Sequence, residues 1–199
     1  MDPNVVLNRL ARLARFDTSV FDEVRDDPNE TISAVVIAIA SALLAGIGAW
    51  LWYAVVPTVS PQRVFVNTVI IGSVFTALMY GVAALVAYVV LVQIYKVPVD
   101  LFSLVRTLGY AAAPLALSVL MFVPIIFPLF SLMPIALLLV MMIYAVQSAS
   151  DAEPGQVVVA SVVGLGVMVL VLGLIATSAS VTDAPMGAGQ FGILFDLNG

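Results

Sequence analysis

Between positions 107 and 150 the chain carries no Asp, Glu, Lys or Arg. That stretch is about twice the ~20 apolar residues with which a helix crosses a ~30 Å hydrocarbon layer, so it must cross twice. Pro124 and Pro128 place a tight turn between the crossings, since neither continues a regular helix. A re-entrant pair of half-helices is the alternative. Stretches 31–62, 64–95 and 154–182 are also uncharged, and each is long enough for one crossing. The expected fold is all-α, a polytopic bundle of five transmembrane helices near 32–56, 65–93, 108–123, 129–147 and 156–176. An amphipathic and acidic segment, 1–27, precedes this membrane domain (28–177), and a tail, 178–199, follows it.

Composition agrees. The chain is 63% hydrophobic and only 10% charged, with mean hydropathy +1.17, far more apolar than a soluble core requires. Residues 1–30 hold Arg9, Arg12, Arg15 and Arg25 with several acids, so they do not read as a cleaved signal. There is no cysteine and no histidine, which excludes disulfides, thiol nucleophiles, imidazole bases and the usual zinc ligands. No metal or cofactor is expected. A basic stripe for nucleic acid is missing. No charged side chain falls inside an expected span, which argues against an ion-coupled pump, and a Ser or Tyr nucleophile there would lack a base. The chain reads as non-enzymatic.

The positive-inside rule sets orientation. Arg9, Arg12, Arg15, Arg25, Lys96 and Arg106 fall on one side and Arg63 on the other. The expectation is a multi-pass protein of the cell membrane with a cytoplasmic N-terminus and an external C-terminus. The unlike connections between spans give no inverted repeat, which weakens a secondary-transporter reading.

Several segments could carry function. Residues 3–16 set Val6, Leu10 and Leu13 beside Arg9, Arg12 and Arg15, an amphipathic helix with a basic flank. It could lay its arginines on anionic headgroups, each contributing ~1 kcal/mol, or pack on the ends of the bundle. The acidic run that follows is interrupted by Phe16, Val20, Phe21 and Val24. Phe21 and Asp22 could dock a basic partner, or the run could be a solvated helix. Asp27, Pro28 and Glu30 form a capping-box pattern for the first span. Small residues four apart, Ala77 and Gly81 or Ala160 and Gly164, suit close helix packing within the bundle, with dimerisation through one face as the alternative. Asn67, Thr76, Tyr80, Tyr110 and Gln147 could line an uncharged cavity, the transporter or channel alternative.

The most distinctive stretch is 100–114, DLFSLVRTLGYAAAP. Arg106 at the membrane edge can snorkel to headgroups or cap carbonyls, and Pro114 frees a carbonyl near Tyr110. This segment resembles the signature that opens the third span in the Yip family, the Ypt-interacting or Rab-associated multispan proteins, through Gly109, Tyr110 and Pro114. Phe21-Asp22, Asp27-Pro28, the five spans and the tight turn extend the likeness. The resemblance implies an adaptor or membrane-shaping protein that associates with Rab-type GTPases and with its own kind. The N-terminal segment is short where the family has a long tail, which shifts the expectation from a GTPase partner towards membrane organisation. Lipid, other membrane proteins and self-association are then the expected partners.

Overall fold

A computed structural model describes residues 3–55 and 65–178, with side chains to 175. Pro57, Pro61, Arg63 and the tail beyond Ser178, including 191–197, lie outside the described residues. Two short helices, α1 (Pro3–Leu13) and α2 (Ser19–Asp26), lead into α3 (Glu30–Val55). Then follow α4 (Val66–Ile94), α5 (Leu101–Phe122), α6 (Phe127–Ala149) and α7 (Pro154–Ser178). From α3 to α7 all five are long and apolar enough to cross a membrane. No strand occurs among the described residues; an isolated bridge joins Val99 to Ser150.

The five long helices close a ring: α3 packs on α4 and α5, α4 on α7, α7 on α6 and α6 on α5. Their buried faces share one core that includes Tyr80, Leu91, Leu108, Leu138, Met142 and Met168. A smaller cluster closes the end away from α1, where Ala49, Tyr53, Met121 and Phe127 are buried. There Trp52 stacks on Phe127 at 4.3 Å and Trp50 meets Phe65 edge-on at 5.3 Å, the two indoles being amphipathic rings of the kind that favour a membrane boundary. Every charged residue among those described lies at the opposite end, hereafter the charged end.

The expected and observed spans differ where local chemistry competes with hydropathy. α5 starts at Leu101, well before the expected 108, because the Asp100 carboxylate caps it by accepting from the Ser103 amide at 2.7 Å. Arg106 therefore sits inside a long apolar helix, contrary to the expectation of charge-free spans. Regular α-helix in α5 ends at Ala111, and 113–122 continue as a tighter 3-10 helix. Pro114 has no amide hydrogen to give Tyr110 and its ring crowds that carbonyl, which ends the wider helix. Both ends of α4, Val66–Ile71 and Val90–Ile94, widen into π-turns; these segments are rich in β-branched residues, which crowd a regular turn. The turn after α5 falls at 123–126, beside Pro124 and before Pro128. The helices on either side run 22 and 23 residues, each long enough for a full crossing where a re-entrant pair would use half-helices.

The capping box does not form. Asp27 instead accepts from the Asn29 backbone and side chain, both at 3.0 Å, in an Asx-turn. Glu30 is thereby freed to point into the bundle.

Candidate functional site

At the charged end, α1 and α2 form a cap over the helix ends. α2 is amphipathic, and it seats Val20, Phe21 and Val24 on α5 and α6 with no exposed surface. α1 buries Val6 and Leu13. Phe21, which the sequence left open to partner docking or to a solvated helix, is thus core. The reason is its helical spacing with Val20 and Val24, which gives α2 one apolar face and one place to bury it.

Charge joins the cap to the bundle. The Arg9 guanidinium lies 2.6 Å from one Glu30 oxygen and 3.6 Å from Glu23, while the other Glu30 oxygen accepts from the Tyr110 hydroxyl at 2.7 Å. Burial works against the charge on Arg9, but Tyr110 and Glu30 outweigh it and raise its pKa. Gly109 makes this meeting of α1, α3 and α5 sterically possible. A Cβ there would stand 2.5 Å from the Ala34 Cβ and carbonyl oxygen, so only glycine lets α5 approach α3 closely enough for Tyr110 to reach Glu30. Arg12 binds Asp17 at 2.8 Å, Glu23 at 2.7 Å and Ser19 at 2.9 Å. The Ser19 hydroxyl, and then Arg12, hold the Asp17 carboxyl below its ordinary range. Arg9 and Arg12 are therefore paired with the chain's own carboxylates. Arg15 is exposed and forms no ion pair among the described residues.

Two further arginines cap helix C-termini. Arg106, 7% exposed, donates from Nε at 3.0 Å and from Nη2 to the Arg25 carbonyl at the end of α2, and to the Ser103 hydroxyl at 3.0 Å. Arg25 in turn donates at 2.8 Å to the Ser148 carbonyl at the end of α6. Each guanidinium meets carbonyls left unpaired by a helix end and the negative pole of its dipole. Of the two roles expected for Arg106, carbonyl capping is the one observed. Asp22 is exposed and accepts from the Ser148 hydroxyl at 2.7 Å. Pro114 is buried within α5.

The five polar residues that would line an uncharged cavity under the transporter or channel alternative are not gathered in one. Tyr80 donates to the Leu108 carbonyl at 2.7 Å and Tyr110 to Glu30. Gln147 donates to the Ala152 carbonyl at 3.1 Å beside a polar cavity of about 480 Å³ at the charged end, lined by Thr18, Asp22, Arg25 and Asp151. Thr76 is buried among neighbours, and Asn67 lies in the π-turn at the far end of α4. Ala77 and Gly81 do not serve packing within the bundle. A Cβ on Gly81 would meet nothing within 4 Å, so this pair faces outward, whereas Gly164 packs on the Ala83 carbonyl as expected.

One residue of the cap is held at a cost. Phe16, in the turn that follows α1, has φ 60 and is 57% exposed. The Asp17 amide donates back to the Arg12 carbonyl at 3.1 Å, closing a Schellman turn at a position that favours glycine. Sequence reading grouped Phe16 with the three apolar residues that turn out to be buried; only its place past the last helical turn separates it.

Comparison of the chain with protein-family models, with curated proteins and with solved structures finds no match. The reading of the site therefore rests on its geometry.

Proposed function

We propose that this chain is a non-enzymatic, Yip-like organiser of its membrane, with the cap on the cytoplasmic side and Phe16 as the centre of its contact surface. The observation that carries the reading is Phe16: a large aromatic side chain exposed in a left-handed conformation, beside Arg15, which has no ion pair among the described residues, while the apolar residues of α2 are buried. Strain of that kind persists where surrounding structure enforces it and is common at sites of interaction. Arg15 and Phe16 together suit a headgroup interface, the guanidinium on phosphate and the ring below it. The orientation is supported by the six basic residues gathered at the charged end. Support for a non-catalytic role comes from the pairing of Arg9, Arg12, Arg25 and Arg106 in ties that hold helices together.

The test is a photoreactive residue at Phe16 in the full chain in its native membrane. Phospholipid adducts are the expected product, absent from the same probe placed at exposed Asn8. A single defined membrane protein captured instead would convert the reading to that of an adaptor, and no adduct above the Asn8 control would overturn it. Phe16→Gly supplies the companion measurement, keeping the cap folded while removing the contact.

A further inference from the structure

The geometry points to a second site, independent of the cap: an acyl-chain groove on the outward face of the bundle, between α3, α4 and α5, that holds one chain of a bilayer phospholipid. The groove has a volume of about 380 Å³ and an almost wholly carbon lining. Its floor is buried Leu104, Leu108 and Tyr80, whose hydroxyl is already committed to the Leu108 carbonyl. Its rim is exposed Val35, Ile39, Val74, Leu78 and Leu85. It opens between helices long and apolar enough to span a membrane, so the occupant enters sideways from the hydrocarbon layer, as an acyl chain or as a helix.

Size decides between them. A second helix, ~10 Å across, would rest on the exposed rim side chains and leave the space above the buried floor unfilled, whereas a single extended chain is slim enough to enter it. Taking a methylene as comparable with the ~30 Å³ share of a water molecule, the groove accepts roughly a dozen methylenes. From Val74 to Leu85 α4 rises ~17 Å, which matches an extended chain of that size. Ala77, Gly81 and Ala84 supply the depth, and Gly81 is open by a full Cβ shell. The groove reaches Leu101 in the first turn of α5, so the headgroup of the bound lipid sits at the charged end.

Gly81→Leu is the deciding variant: its Cβ meets nothing within 4 Å, its longer side chain occupies groove space, and it replaces glycine by a better helix former. Leu85→Trp, at the rim, repeats the test from a second position. Full-length protein is reconstituted with a phosphatidylcholine carrying a diazirine near the end of one acyl chain, photolysed and mapped by mass spectrometry. The expected result is labelling concentrated on 77–85 and 101–108, falling roughly tenfold in Gly81→Leu, as loss of two or so buried methylenes implies. Labelling of the groove no stronger than that of exposed Val158, Val162 and Leu170 on α7, and insensitive to both variants, would mean ordinary boundary lipid and overturn the site. So would efficient disulfide pairing of Leu78→Cys between copies in this otherwise cysteine-free chain, which would assign the groove to self-association.

Discussion

At the scale of single residues, the tie between cap and bundle is a buried carboxylate shared by an arginine and a tyrosine. Glu30 is 8% exposed and Tyr110 fully buried, so their hydrogen bond has a charged acceptor and no competing solvent. Tyr110→Phe is expected to cost ~1.5–3 kcal/mol, the range for bonds to charged groups, read as thermal unfolding in mild detergent. Gly109→Ala is expected to cost ~1–3 kcal/mol by overpacking against Ala34. The two are coupled, because the added methyl pushes α5 from α3 and separates Tyr110 from Glu30. Tyr110→Phe made in the Gly109→Ala background should therefore cost clearly less than in the native chain, and strict additivity would refute this account of Gly109. Phe16→Gly runs the other way, stabilising the cap by about 1 kcal/mol through relief of the left-handed conformation. The sequence exposes Gly109 and Tyr110 as a pair, yet hides their partner. Glu30 stands where a capping box would use it, and only the Asx-turn at Asp27 leaves it free.

At the scale of elements, what hydropathy could not reveal was how polar groups start and stop helices. The first turns of α5 look like a loop because they carry Ser103 and Arg106, but Asp100 caps them and Arg106 has a helix end to satisfy. Arg106→Lys keeps the charge and loses the planar fork, so the end of α2 should lose hydrogen-exchange protection while α6 keeps its own; equal loss in both would show that the arginine acts on the bundle at large. Acid tests the same elements. The carboxyls of Asp17 and Asp100 are held below their ordinary value of 3.8, by Ser19 with Arg12 and by the Ser103 side chain and amide respectively. A carboxyl depressed in the folded state contributes stability above its unfolded pKa and loses it as pH falls through the folded one. Exchange protection of α1, α2 and the start of α5 should hold down to about pH 4 and decline below it. A decline centred near neutrality would have to come from other groups.

At the scale of the molecule, the number of crossings was legible because lipid tolerates so few alternatives, and the charged end was legible because the few charges cluster in the sequence. The closed ring of helices was not, since outward and inward faces are equally apolar and only the fit of small residues distinguishes them. The cap was half legible: amphipathic periodicity marks α1 and α2 but not which charges they would spend on each other. That internal pairing makes the cap respond to salt in two stages. Arg12 with Asp17 and Glu23 is partly exposed, whereas the Arg9 and Glu30 side chains are 13% and 11% exposed. Raising salt from ~0.1 to ~1 M shortens the screening length from ~10 to ~3 Å and weakens the first group far more than the second. A spin-label pair at Leu7 and Asp151 should therefore report a cap that stays docked at ~1 M salt in the native chain. In Arg9→Ala, only the screened contacts and the apolar face of α1 remain, and the same salt should lengthen and broaden the distance reversibly. If the native chain releases α1 in salt as readily as the variant, the buried carboxylate is not what holds the cap, and the apolar contacts of Val6 and Leu13 must carry it.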